Sequence, residues 1–309
     1  MTKPKASTVA ISFVIFLFTL IFFFPFNNLR GYVFSQIFVK TGILIVADDM
    51  SLTFFGWPGL ILYNVNVTLP VGTSEIELAS EKLTFKIGLA GLFPPVPSVS
   101  LNLKNLKKGG NLYVDVSQKA NAAKVYIEAS DVNLAQIAVP GLGENIPGIV
   151  GADGKFEINN ADFSKSTGSL EIKGKDLKVP HQVVGSQAQG FSFDIPAMTV
   201  DKFNMGLNIK NGNLEFTNVN LGTPQTDLRA TVTGDLKLGQ RFEQSFLNLT
   251  LKLQLSNKIL QDPQAKTFTS FLEGYTLKTP GEYGMKWFAS IQELSGMSYK
   301  ILPEKLPLQ

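Results

Sequence analysis

Between Leu247 and Leu255 every second residue is leucine: Leu247, Leu249, Leu251, Leu253 and Leu255 alternate with Asn248, Thr250, Lys252 and Gln254. Successive side chains of a strand point to opposite faces, so this text demands a strand with one apolar and one wet side. The same period recurs along the chain. Val99/Leu101/Leu103, Leu112/Val114/Val116, Ala123/Val125/Ile127/Ala129, Leu170/Ile172, Met205/Leu207/Ile209, Leu214/Phe216 and Leu228/Ala230/Val232 all alternate with polar residues. One-sided strands belong to antiparallel sheets, because parallel sheets covered on both faces read as continuous apolar runs. The expected body is therefore mainly β, a curved and mostly antiparallel sheet with a few short helices. Such a sheet must bury its apolar side. It either closes on itself as a sandwich or barrel, or curls as a meander into an apolar groove that a lipid or partner fills. The five leucines are the candidate groove face.

One strand slips phase. Ile76 and Leu78 are even-numbered, whereas Leu83, Phe85 and Ile87 are odd, which predicts an extra residue near Ser80–Lys82 as a bulge or a break. Turn chemistry is expected at Lys108-Gly109-Gly110-Asn111, Asp153-Gly154, Asn211-Gly212-Asn213 and Thr233-Gly234-Asp235. Helical text is sparse. Asn28 to Lys40 reads as a short helix ended by Gly42, packed on the sheet edge or, as the alternative, lying as a collar on the membrane surface, and Asp131–Ala138 reads as two turns. Asp262-Pro263 is a capped start, with Phe268, Phe271, Leu272 and Tyr275 at helical spacing behind it. The glycine-rich stretch Val139–Gly154 reads equally as a linker or as a loop within one sheet. The body is thus either two β-rich portions, 28–150 and 151–309, or one continuous domain, 28–309.

The N-terminus has a different character. No charged side chain occurs from Ala6 to Leu29, and Thr8–Phe24 is almost wholly apolar. At about 1.5 Å per residue, Ala6–Phe26 spans roughly 31 Å, the thickness of a hydrocarbon core. This predicts one transmembrane helix within residues 1–27, with Thr8, Ile11, Phe13, Ile15, Leu17, Leu20, Phe22 and Phe24 as anchor residues facing the lipid bilayer. The exit through Phe22-Phe23-Phe24-Pro25-Phe26 lacks a small-residue cleavage site, so an uncleaved anchor is favoured over a signal peptide. Lys3 and Lys5 before the run lean the N-terminus to the cytoplasm, with the body outside it.

Composition narrows the chemistry. Lys3, Lys5 and Arg30 account for the formal net charge of +3, leaving a neutral body and no concentrated cationic surface for nucleic acid. The absence of cysteine excludes disulfides and thiolate chemistry. A single histidine, His181, excludes multi-histidine metal sites. No phosphate-cradling glycine loop and no GxSxG elbow occurs. No catalytic, cofactor or metal residue is expected. His181 is read as an exposed loop residue, Asp48-Asp49 as a solvated turn, and Lys104, Lys107 and Lys108 as a solvated hairpin end, with anionic headgroups as the alternative partner.

A resemblance follows from the order of these features. The anchor leads into a short helix and Thr41-Gly42-Ile43. Next come Ser51-Leu52-Thr53, Leu60–Leu69, Glu75–Gly88 (EIELASEKLTFKIG), Leu92–Leu103 (LFPPVPSVSLNL) and Gly109-Gly110-Asn111-Leu112. Together they resemble GspN, the N protein of bacterial type II secretion systems, and more distantly AsmA-like periplasmic proteins. The resemblance implies a single-pass inner-membrane protein with a periplasmic β-rich body, a non-enzymatic scaffold or interaction module partnered by inner-membrane secretion-system subunits. The AsmA-like side implies instead lipid binding or transfer through an apolar groove, with phospholipid as partner. A periplasmic hydrolase built on His181 ranks last. After Asn257 the resemblance stops.

Overall fold

The computed structural model describes residues 30–53, 58–71, 74–90, 96–119, 121–136, 146–159, 161–186, 191–291 and 303–307. The eight anchor residues from Thr8 to Phe24 lie outside them. Helix α1 (Arg30–Thr41) precedes β1 (Leu44–Val46), β2 (Asp49–Thr53), β3 (Gly59–Val71), β4 (Ser74–Ala90), β5 (Val96–Leu106), β6 (Asn111–Lys119), β7 (Ala122–Asn133), β8 (Ile149–Asn159) and β9 (Thr167–Val179). A hairpin of β10 (Gln182–Ser186) and β11 (Phe191–Ile195) follows, then β12 (Met198–Lys210), β13 (Asn213–Leu221), β14 (Leu228–Lys237) and β15 (Phe246–Leu255). Short helices α2 (Asn257–Leu260) and α3 (Lys266–Leu272) separate β15 from β16 (Glu282–Ser290), and β17 (Glu304–Lys305) comes last.

Fifteen strands make one antiparallel sheet whose order follows the chain, except that β10 and β11 pair only with each other. The path begins at β1, with β2 also on β3, and ends at β17, so this is an open meander and not a barrel. No second large sheet faces it among the described residues, which removes the sandwich alternative. Residue 150 lies inside β8, which pairs with β7 on one side and β9 on the other, so the text before and after it shares one sheet.

Helix α1 ends as its sequence implies: Gly42 takes φ 73°, and its N–H donates to the Phe38 carbonyl. Phe34 packs into the first core cluster, with Leu62, Val65, Leu83, Leu103 and Val132. A second cluster lies at the other end of the sheet. There Ile259, Ala265 and Leu272 of the helical insertion, with Ile195 of the β10–β11 hairpin, cover Leu251, Leu253, Leu255, Tyr283 and Met285. Asp262 caps the start of this insertion through a bond from the Gln264 N–H (2.9 Å), with Pro263 at the first position, as its text predicts.

Four local expectations need correction. Asp153-Gly154 and Thr233-Gly234-Asp235 are not turns; they lie within β8 and β14. Gly234 is held by a close approach of backbone, and Gly154 by the end of a neighbouring side chain. A Cβ on Gly234 would sit 2.1 Å from the Asn248 carbonyl oxygen, and one on Gly154 would meet Leu170 Cδ1 at 2.8 Å. Asp131–Ala138 is not two helical turns. Its first residues finish β7, Leu134–Gln136 makes a single 3-10 turn, and residues 137–138 lie outside the described residues. The phase slip in β4 is neither a break nor a register shift, because β3 and β5 change phase with it, at Asn64 (φ 48°) and Asn105 (φ 54°).

That level continues across the sheet as a seam. Asp131 in β7, Asp201 in β12 and Asn218 in β13 also have positive φ, and the pairing shifts beside each of them. Asn and Asp enter the left-handed region more readily than other side chains that carry a Cβ. Bulges of this kind increase the local right-handed twist.

Candidate binding surface

Register, more than any single residue, builds the candidate site. Opposed residues of an antiparallel pair share a face. Following the pairing from β3 to β16 therefore traces one row across the sheet. It reads Leu60, Phe85, Leu101, Val114, Ile127, Gly154, Leu170, Leu207, Phe216, Gly234, Leu249 and Trp287. Every position is apolar or glycine. At about 4.8 Å between strands the row is about 50 Å long.

Two residues along each strand, a second row repeats the chemistry. It reads Ile87, Val99, Val116, Val125, Phe156, Gly168, Ile209, Leu214, Leu236, Leu247 and Ala289. The row between the two belongs to the other face: Lys86, Ser100, Asp115, Tyr126, Lys155, Ser169, Asn208, Glu215, Asp235 and Asn248. One face is thus apolar from β3 to β16, and the other is polar as far as β15; at β16 that row ends on Phe288, 65% exposed and edge-on to Phe246.

The apolar face is covered most fully by its two end clusters and, in the second row, also at Leu236 and Ala289, which are 6% and 3% exposed. Leu255 is 4% exposed beneath the helical insertion, and Leu83 and Leu103 are buried in the first cluster. Val114, Ile127, Leu170, Leu207 and Phe216 are only half-buried. Of the five candidate leucines only Leu255 is buried. Leu251 and Leu253 touch the second cluster, while Leu247 and Leu249 remain half-buried. The most open part is the edge row at β4–β5, where Ile87 is 55% and Val99 39% exposed. Contiguous apolar surface beyond a few hundred Å² is unusual on a soluble monomer and marks an interaction site.

Polar clusters lie elsewhere. Asp227 joins three elements: it accepts from the Thr199 N–H (3.0 Å), the Thr199 hydroxyl (2.8 Å) and Ser256 Oγ (3.3 Å), with Lys258 Nζ 3.8 Å away. Burial pushes its pKa up, but the Thr199 bonds, Lys258 and Ser256 outweigh this and hold it below the usual carboxylate range. On the polar face the Tyr126 hydroxyl donates to Glu128 (3.0 Å) and Asp153 (3.2 Å). The bond to Glu128, more than any other cause, pushes the phenol up to about 12. Asp227 ties elements together, and Tyr126 lines an open depression of about 410 Å³ on the polar face beside Asp115 and Lys155.

The remaining candidates do not assemble a reaction centre. His181 Nε2 lies 3.8 Å from Asp194 Oδ1, and both side chains are about half exposed. Asp48 accepts from Asn64 and Arg30. Lys104 lies on β5, and Lys108 donates to the Ala135 carbonyl (2.7 Å). Among the described residues no group of three or more metal-ligating side chains converges, and no helix is long and apolar enough to cross a membrane. Comparison with family models, with curated proteins and with solved structures finds no match.

Individual apolar strands were legible from the sequence, but their continuity was not. Continuity depends on the bulge seam, and its only textual signal is a phase change beside an Asn or Asp, as at Asn64, Asn105 and Asp131.

Proposed function

We propose that this chain is an inner-membrane-anchored, non-enzymatic binding module whose body lies in the periplasm, and that its working surface is the apolar face of the meander. The observation that carries this reading is the pair of apolar rows that continue across the sheet, the first with its side chains from Val114 to Leu249 half-buried. A surface about 50 Å long and a few residues wide fits acyl chains, because it offers dispersion contacts along its length and no polar group to orient a soluble metabolite. Thr8–Phe24 supplies the single span, N-terminus in the cytoplasm, and the twist introduced by the bulge seam curves the sheet into a groove.

The resemblance to GspN supplies the setting: a scaffold or interaction module at the inner-membrane platform of a type II secretion system. Lipid handling and a place in that machine are compatible, since a tethered groove can present lipid, or an apolar segment of another subunit, beside the assembly. The test is to purify the full chain in mild detergent and analyse it twice. Lipid extraction with mass spectrometry should recover phospholipid in a fixed ratio to protein. Affinity capture should bring secretion-system subunits. A lipid-free preparation would remove the groove reading, and normal secretion in a deletion strain would remove the secretion setting.

A further inference from the structure

Helix α1 is apolar on two sides. Its inner side carries Val33, Phe34 and Ile37, all half-buried, and Phe34 packs into the first core cluster. Its outer side carries Tyr32, 67% exposed, and Val39, 77% exposed, two turns apart on one face, with Phe38, 50% exposed, on the flank. This is why its polar residues do not gather on one side. A helix at the surface of a soluble domain sets polar side chains opposite its packed stripe, whereas one that is apolar all round is covered all round.

The patch is local. Among the described residues, ten large apolar side chains stand exposed, and five of them, Tyr32, Phe38, Val39, Leu44 and Val46, fall within α1 and the strand β1 that follows it. Two polar residues share the outer side of the helix, and both suit an apolar boundary. The Ser35 hydroxyl donates to the Tyr32 carbonyl (2.8 Å), so its hydrogen bond is made within the helix. Gln36 is exposed, and its side chain is long enough to keep its amide at headgroup level.

The length of chain before the helix selects the occupant. The apolar run ends at Phe24, six residues ahead of Arg30. Six residues reach about 21 Å at most, whatever course they take, so α1 begins within that distance of the end of the run. A tyrosine and a phenylalanine on a helix next to a membrane span belong to the chemistry of the headgroup–acyl boundary, where amphipathic rings and aliphatic side chains settle.

We propose that the outer face of α1, with Tyr32, Phe38 and Val39, lies in the headgroup–acyl boundary of the bilayer that holds Thr8–Phe24, so that α1 is packed between the sheet and lipid. The proposal rests on the reading of Thr8–Phe24 as a membrane span. It needs no particular path for the residues between Phe24 and Arg30.

Because the chain has no cysteine, single labels report position cleanly. The full chain is reconstituted in vesicles of phosphatidylethanolamine and phosphatidylglycerol, with a fluorophore on Gln36→Cys or Val39→Cys, and on Gln225→Cys or Phe288→Cys as exposed positions many strands away. Lipids spin-labelled near the headgroup should quench the first pair several-fold more than the second. Iodide, which stays in water, should quench the first pair several-fold less. Equal lipid quenching at all four positions overturns the proposal. So does full iodide quenching at positions 36 and 39, which would leave the helix beside the bilayer and outside it. Protection from iodide without lipid quenching also overturns it, because protein would then cover the face. Tyr32, Phe38 and Val39 belong to neither core cluster, so their joint replacement by serine should leave the denaturant midpoint in place and lower lipid quenching at position 36 to the level at 288. Unchanged quenching in that variant overturns the role of these side chains. Extraction of the vesicles with alkaline carbonate separates the two readings. A chain that resists extraction but shows flat quenching keeps its span and loses the helix contact, whereas a chain that is stripped by carbonate after strong quenching at positions 36 and 39 does the reverse.

Discussion

The apolar face is made of the same residue types at its C-terminal end and in its middle, yet the two regions differ in what lies over them. At the C-terminal end the chain leaves β15, caps a short helix on Ser256, starts another on Asp262-Pro263, and lays Ile259, Ala265 and Leu272 on the sheet. In the middle, β12 and β13 are joined by the tight turn Asn211-Gly212, which adds no apolar side chain to cover Leu207 or Phe216. Alternation decides which face is apolar. Insertions between strands decide how much of it becomes core.

Truncation tests that comparison most directly. Ile259, 1% exposed, is a core residue by this account, and Ile259→Ala should cost about 3–4 kcal/mol in denaturant unfolding. Ile127→Ala, in the half-buried middle row, should cost about 1 kcal/mol and lower lipid recovery instead. Equal losses of stability at the two sites would mean that the middle is also dry core, and the contrast would disappear.

Asp227 ties the covered end together, so its removal should loosen that end alone. Asp227→Ala removes the acceptor shared by the Thr199 N–H, the Thr199 hydroxyl and Ser256 Oγ and should cost about 1–2 kcal/mol. The pH dependence follows from the lowered pKa. A carboxylate depressed in the folded state contributes its full stabilisation above the unfolded value, near 4, and loses it as pH falls through the folded pKa. Wild-type stability should therefore fall below about pH 4 more steeply than that of Asp227→Asn. Parallel acid limbs would show that Asp227 titrates alike in both states.

The in-strand glycines provide a finer test. Gly234 has φ 135° and backbone against its missing Cβ, so Gly234→Ala should cost about 2–3 kcal/mol. At Gly154 the nearest atom is the end of the Leu170 side chain, which can turn aside into the open face, and Gly154→Ala should cost about 1 kcal/mol or less. A larger loss at Gly154 would indicate that Leu170 has no room to move and that the middle face is closed.

Much of this was readable beforehand because it is local. Alternation at Leu247–Leu255, the cap at Asp262-Pro263, and the turns at Gly109-Gly110 and Asn211-Gly212 each depend on a few neighbouring residues. The misreadings share a cause. Asp153-Gly154 and Thr233-Gly234-Asp235 carry turn chemistry, but their glycines answer to Leu170 and Asn248, partners on another strand. Asp131–Ala138 failed in the same way, since Asp131 is a bulge residue whose place is set by pairing of β7 with β8. The groove-like site was out of reach for that reason too: each row takes one residue from each strand it crosses, and register is a property of pairs.

The smallest expected effect lies on the opposite, polar face, and it tests whether that face is an ordered surface. Tyr126 donates to Glu128 and Asp153 from neighbouring positions on β7 and β8, with its ring edge-on to Tyr113 and Lys155 Nζ 5.4 Å from its centroid. Ionising the phenol would give up both bonds and place a third negative charge beside two carboxylates, which is why its pKa rises to about 12. Ultraviolet titration of wild type and Tyr126→Phe isolates this one residue by difference. The expected difference curve has its midpoint near 12, well above the ordinary tyrosine value of about 10. A midpoint near 10 would mean that Tyr126 is free in solvent and its bonds to Glu128 and Asp153 are not maintained. The polar face would then be a solvated backing to the apolar one, without a fixed pattern of its own.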